Sequence, residues 1–244
     1  MIRFRTLMLA AVFAGMPFAA AHADWDAGDS CKMHYPQLPD PNGWDVGPMQ
    51  HQVADDWTCS QTGTVSDLHF WVSFEGNGGA PAAIDNIYVK IYESHPSGGP
   101  MSSAVWFRTF APSDWTARLG ADDANQGWYD PWADTYRTKD HSRYYQINIT
   151  DIADPLEQQM DQVYWLSLAF ELDDQAQASM GWTTSLDSHG SGAVYRYGGQ
   201  WHDLVDPITQ TGLNMAFVIT PEPATLSLLG VAGLAMIRRR RTVG

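Results

Sequence analysis

Leu68, Phe70, Val72 and Phe74 alternate with Asp67, His69, Trp71 and Ser73, and the same two-residue period returns along most of the chain. A period of two places one set of side chains on each face of an extended strand, so it excludes an amphipathic helix over these runs. Ile87, Val89 and Ile91 form a second apolar row, with Tyr88, Lys90 and Tyr92 turned the other way. Tyr164, Leu166, Leu168, Phe170 and Leu172 form a third, and Leu213, Met215, Phe217 and Ile219 a last one. Weaker runs lie at Val53–Cys59, Val105–Phe110, Trp115–Leu119, Tyr144–Ile149, Ser179–Thr184 and Ala193–Tyr197. Gly76-Asn77-Gly78-Gly79, Ser97-Gly98-Gly99-Pro100 and Gly198-Gly199 punctuate them with turn residues. About ten short strands with Gly/Pro turns predict an all-β fold, a single antiparallel β-sandwich of jelly-roll type. One short helix is expected at Asp154-Pro155-Leu156-Glu157, which reads as a capping box with proline at the first helical position.

The basic residues are gathered at the two ends. The chain of 244 residues holds 28 acidic and 14 basic groups, and six of the basic ones are Arg3, Arg5 and Arg238 to Arg241. At the N-terminus a basic start precedes a short apolar stretch and Ala21-His22-Ala23, an A-x-A cleavage site. Residues 1–23 therefore read as a secretory signal peptide forming a signal helix, cut by signal peptidase after Ala23. At the C-terminus Pro221-Glu222-Pro223 precedes fourteen apolar residues, Ala224 to Ile237, and then Arg238, Arg239, Arg240 and Arg241. At 1.5 Å per residue that is about 21 Å of helix, short of the roughly 30 Å hydrocarbon core, so it is a short transmembrane helix and a weak anchor. The arginines belong on the cytoplasmic side, which places the rest outside.

Between the signals, residues 24–42 are rich in Pro, Asp and Gly and read as an extended lead-in, and residues 43–220 read as one domain. Residues 24–220 hold 8 basic and 27 acidic groups, a net charge of −19. That balance repels a phosphate backbone and excludes nucleic acid as a partner. Cys31 and Cys59 are the only cysteines, and export permits oxidation, so a disulfide between them is expected.

Pro221, Glu222 and Pro223, the short apolar helix and the closing Arg238–Arg241 cluster resemble the PEP-CTERM sorting signal of diderm bacteria. The resemblance covers residues 221–244. It implies recognition and cleavage by an exosortase, transient membrane anchoring through the C-terminal helix, and delivery to the cell surface or extracellular matrix. Val53-Ala54-Asp55-Asp56-Trp57-Thr58-Cys59, Asp67-Leu68-His69-Phe70-Trp71, Gln126-Gly127-Trp128-Tyr129-Asp130-Pro131, Gly181-Trp182-Thr183-Thr184-Ser185 and Ala216-Phe217-Val218-Ile219 resemble an uncharacterised family of exported bacterial β-rich domains found upstream of such tails. That family carries no implied activity.

Two places hold chemistry-bearing residues. The stretch 121–143 has little strand pattern and crowds Asp122, Asp123, Asn125 and Asp130 beside Trp128, Tyr129 and Trp132. Oxygen donors at short spacing suit Ca²⁺, and exposed rings suit the apolar face of a sugar, so calcium is the one cofactor considered. A solvated acidic loop whose tryptophans fold back onto the core explains the same residues. On the strand of Asp67 and Trp71, His69 faces with both, a polar strand face able to contact a ligand. No nucleophile elbow, zinc helix, phosphate loop or dinucleotide fingerprint occurs, so no catalytic residue is named. The expected function is an exported, non-enzymatic surface or matrix protein that is structural or contacts extracellular polysaccharide. The alternatives are a polysaccharide hydrolase or lyase using Asp/Glu, and a calcium-stabilised carbohydrate-binding module.

Overall fold

The structure, a computed structural model, describes residues 24–220 apart from Ser30, Lys32, Gln175 and Gln177. The signal helix expected at 1–23 and the tail expected at 221–244 lie outside the described residues. Within them the alternating runs become strands of two open sheets. The larger sheet orders β7 (Thr116–Ala121), β10 (Tyr144–Ile149), β4 (Asp67–Phe74), β13 (Met180–Thr183), β1 (Trp44–Val46), β8 (Gln126–Asp130) and β9 (Thr135–His141), with β16 (Phe217–Thr220) also beside β4. The smaller orders β15 (Gln200–Asp203), β14 (Val194–Tyr197), β2 (Val53–Thr58), β12 (Val163–Leu172), β5 (Ile84–Glu93) and β6 (Trp106–Phe110). A two-stranded piece pairs β11 (Glu157–Gln158) with β3 (Gly63–Thr64). Every paired strand is antiparallel except β1 against β8, which run parallel.

The inner rows of both sheets share one core. Leu68, Phe70, Val72, Ile147, Ile149 and Trp182 of the larger sheet lie in the same buried cluster as Ile87, Val89, Ile91, Leu166, Leu168 and Phe170 of the smaller. Phe70 meets Phe170 at 5.8 Å, and Trp57 stacks on Tyr164 at 5.4 Å while its edge meets Phe217. Each such side chain contributes about 1.5–3 kcal/mol on full burial.

Several expectations are corrected. No helix forms at 154–160: Asp154 has φ 54°, outside the extended conformation of an N-cap, and Glu157–Gln158 pairs with Gly63–Thr64 as a strand. The lead-in is tied to the sheets, with Met33, Gln37 and Pro39 bridging to Cys59, Phe217 and Ser185. The Cys31–Cys59 disulfide is absent. Met33, and not Cys31, bridges to Cys59. Each Sγ instead lies near a backbone carbonyl, of Met33 at 3.4 Å and of Gln61 at 3.1 Å. Residues 121–143, expected as a loop, supply β8 and β9.

The outer face of the larger sheet is held by a buried polar chain. Asp45 on β1 accepts from Thr183 Oγ1 at 2.6 Å and from His141 Nε2 at 2.8 Å, and His141 Nδ1 reaches Asp140 at 3.1 Å. Two carboxylates on the two ring nitrogens suit the imidazolium, which donates from both. Burial pulls the His141 pKa down, but the hydrogen bonds and charges of Asp45 and Asp140 outweigh it and the net direction is up from 6.5. A raised folded pKa stabilises the protonated fold, so this contribution is full below about 6.5 and is lost as pH rises through the folded value. We expect the melting temperature of the chain to fall over that window more steeply than that of His141→Gln; superimposable pH profiles from differential scanning calorimetry would contradict the assignment.

Candidate functional site

The residues singled out in the sequence are mostly structural. His69 is buried: its Nδ1 meets Asn148 Oδ1 at 2.7 Å, and its Nε2 lies 3.5 Å from Thr220 Oγ1. Burial holds the His69 pKa below 6.5. Asp67, expected beside it, instead accepts from the Asp151 N–H and the Thr220 hydroxyl. Trp71 is buried under Trp25, edge to face at 6.3 Å. The strand face read as open is therefore covered by the start of the lead-in, which Gln146 Nε2 and Arg118 Nη2 fix by donating to the Trp25 carbonyl.

Trp128 and Tyr129 are likewise buried. The Trp128 ring lies against Gly47 and Gly181, where a Cβ would collide with it. Trp132 is half-buried, donating its indole N–H to the Arg196 carbonyl at 2.9 Å. The proposed calcium ligands do not converge. Asp122, Asp123 and Asn125 lie in the turn before β8, whereas Asp130 ends that strand and accepts from the Trp132 and Ala133 N–H groups. Five residues of strand separate them by about 17 Å. No cluster of three His, Cys, Asp or Glu able to hold a metal occurs among the described residues.

A cleft of about 360 Å³ that sequence patterning missed lies at the end of β2. Its walls are His34, Tyr35 and Gln37 of the lead-in, Asp56, Trp57 and Thr58 of β2, Asp161, His189 and Gly190. The bridges of Met33 to Cys59 and Gln37 to Phe217 carry the lead-in across this end. Tyr35, 58% exposed, stacks on His189 at 4.3 Å with an interplanar angle of 11°. His34 Nε2 lies 3.6 Å from Asp161. Gln37 donates Nε2 to the Asp56 carbonyl at 3.1 Å, while its buried Oε1 has no hydrogen-bond partner. Asp56 accepts from the Ser191 N–H at 2.9 Å, yet burial pushes its carboxyl pKa up from 3.8.

The arrangement combines a flat aromatic pair, an unpartnered amide oxygen, one exposed carboxylate and one carboxyl inclined to hold its proton. The components come from segments some 150 residues apart, with no shared motif. One signal was available: Asp55-Asp56 interrupts a strand whose neighbours are apolar, and a carboxylate there must have a dedicated partner.

The profile of a family described as a domain of unknown function, DUF7901, matches residues 33–220, which include every residue of the cleft. No curated protein and no solved structure matches the chain.

Gly190 has φ 69° and its Cα lies so close to Asp56 that a Cβ would overlap the carboxyl. Gly190→Ala is expected to cost about 1–3 kcal/mol in urea unfolding, through strain and displacement of Asp56. A change of a few tenths would show that the loop yields.

Proposed function

The chain belongs to the DUF7901 family of domains of unknown function, and we propose that it is an exported, non-enzymatic β-sandwich of jelly-roll type that contacts extracellular polysaccharide through the cleft at the end of β2. The observation that carries this reading is the Tyr35–His189 stack, which leaves the tyrosine exposed beside hydrogen-bonding groups. A pyranose has an apolar face that packs on such a ring, and its hydroxyls donate to carboxylate and amide oxygens. Gln37 Oε1 and Asp161 supply those acceptors.

The export half rests on the terminal signals. A basic start with Ala21-His22-Ala23, and Pro221-Glu222-Pro223 with the Arg238–Arg241 cluster, support secretion followed by exosortase processing to the surface or matrix. Mass spectrometry of the native protein should find a mature chain that begins at Asp24 and lacks Arg238 to Arg241. A mature form retaining the arginines would sink the sorting proposal.

A second reading has its own observation. Asp56, whose pKa burial raises, shares the cleft with Asp161, and an acid beside a carboxylate is the equipment of glycoside hydrolysis. On an array of bacterial exopolysaccharide fragments, Tyr35→Ala should weaken binding by about ten-fold with its melting temperature unchanged. Undiminished binding would remove the cleft from the proposal. Turnover of a bound fragment, abolished by Asp56→Asn, would favour the hydrolase.

A further inference from the structure

The outer face of the smaller sheet carries two cations that the acidic domain leaves unneutralised. Register places Lys90 of β5 between Phe107 of β6 and Ser167 of β12, and Ser167 beside Ala54 of β2. Arg196 of β14 lies opposite Trp201 of β15, its backbone N–H bonded to the Gln52 carbonyl at 2.9 Å. All these side chains share the face turned away from the core. Arg108, Arg118 and Arg137 each pair with a carboxylate. Lys90 and Arg196 have none within ion-pair distance among the described residues. Their contacts are neutral: the Lys90 ammonium lies 5.7 Å over the Phe107 ring, and Arg196 lies 5.5 Å over Trp201 and donates to Gln52 Oε1 at 3.2 Å.

Of the acidic groups of the same face, Glu171 and Asp56 are engaged elsewhere. Glu171 accepts from Tyr88 and Asn86, and Asp56 from the Ser191 N–H. Asp203 is opposite Val194 at the far edge strand. Tyr92, two residues from Lys90 on the same face of β5, meets Trp201 edge to face at 5.8 Å, which brings the β14–β15 hairpin and its Arg196 over toward Lys90. Burial, and then repulsion by Arg196, lower the Lys90 pKa. The buried Ser167 hydroxyl beside Lys90 has no hydrogen-bond partner. Cations, an unpartnered hydroxyl and an exposed ring, Phe107 at 47%, thus meet on one face.

We propose that Lys90 and Arg196 form a site for a carboxylate-bearing sugar, a uronate unit whose carboxylate sits between the two cations and whose ring packs on Phe107. Paired cations and an aromatic face match the two halves of such a sugar, its acid and its apolar ring face. The net charge of −19 over residues 24–220 disfavours a polyanion. An isolated acid in an otherwise neutral glycan meets only the local pair, because the field of more distant exposed carboxylates is screened over about 8 Å at physiological salt. The site lies apart from the Tyr35 cleft: Trp165 stands in register between Tyr92 and Asp56 and separates them. It therefore goes beyond the cleft proposal and does not depend on it.

The test titrates the full chain by calorimetry with methyl glucuronide, methyl glucoside and sodium sulfate. The glucuronide should bind at least about ten-fold more tightly than either the glucoside or sulfate, and more weakly as salt is added. Lys90→Met and Arg196→Gln should each reduce that affinity by about ten-fold at unchanged melting temperature, while Lys90→Arg retains it and Tyr35→Ala leaves it alone. Sulfate binding as tightly as the glucuronide would reduce the site to a bare anion site and overturn the sugar assignment. Equal affinity for glucoside and glucuronide, no binding at millimolar ligand, or binding indifferent to Lys90→Met would each overturn it as well.

Discussion

The attachment of the β8–β9 hairpin depends on the Asp45 carboxylate. β1 is only three residues long, yet it is the strand through which that hairpin pairs into the larger sheet, antiparallel to β13 on one side and parallel to β8 on the other. Three residues of ladder are a weak hinge. Asp45 reinforces both sides at once, taking the Thr183 hydroxyl from β13 and the His141 imidazole from β9. The chain of contacts continues outward through Asp140 to Arg137 and from there to Glu75, so a fully buried group is tied to the surface loop after β4. Breaking a buried pair leaves an uncompensated charge, at a cost of about 3–5 kcal/mol. The fold therefore concentrates its polar cost at the point where backbone pairing is thinnest.

The alternation of Leu68, Phe70, Val72 and Phe74 was legible because a shared core forces one row of each strand inward, and the rows read this way are buried except for the half-buried Leu172 and Leu213. What period two cannot report is whether the other row meets water. His69 and Trp71 look like part of a solvent face in sequence and are buried where residues 24–26 fold over the sheet. The β8–β9 hairpin escaped for a related reason. All of β8 is at least partly buried, while most of β9 is exposed, so neither strand alternates. The Asp154-Pro155-Leu156-Glu157 signature fits a helix start locally, but Leu156 and Glu157 bond across to Val65 and Thr64 instead. Tertiary pairing overrides a capping signal worth about 1 kcal/mol. Beyond the Asp55-Asp56 signal the cleft left no trace in the sequence, because stacking between Tyr35 and His189 is a product of topology alone.

The acidity of the domain acquires a structural explanation. Of the 28 acidic residues 23 are Asp, and a short carboxylate reaches backbone N–H groups two or three residues on, where the longer Glu does so less well. Asp40, Asp130 and Asp206 accept in this way from Asn42, from Trp132 and Ala133, and from Ile208 and Thr209. Asp29 and Asp114 accept from residues three before them. Asp134, Asp151, Asp154 and Asp161 occupy left-handed backbone positions that Asp tolerates better than most residues. A fold with sixteen strands among its described residues needs many turns, and this chain makes much of its turn chemistry from aspartate. Much of its negative charge is thus a by-product of turn formation rather than a surface selected to meet a cationic partner. Against that background the informative charges are those that no turn requires, among them the buried acids at Asp45, Asp55 and Asp56 and the unneutralised cations at Lys90 and Arg196.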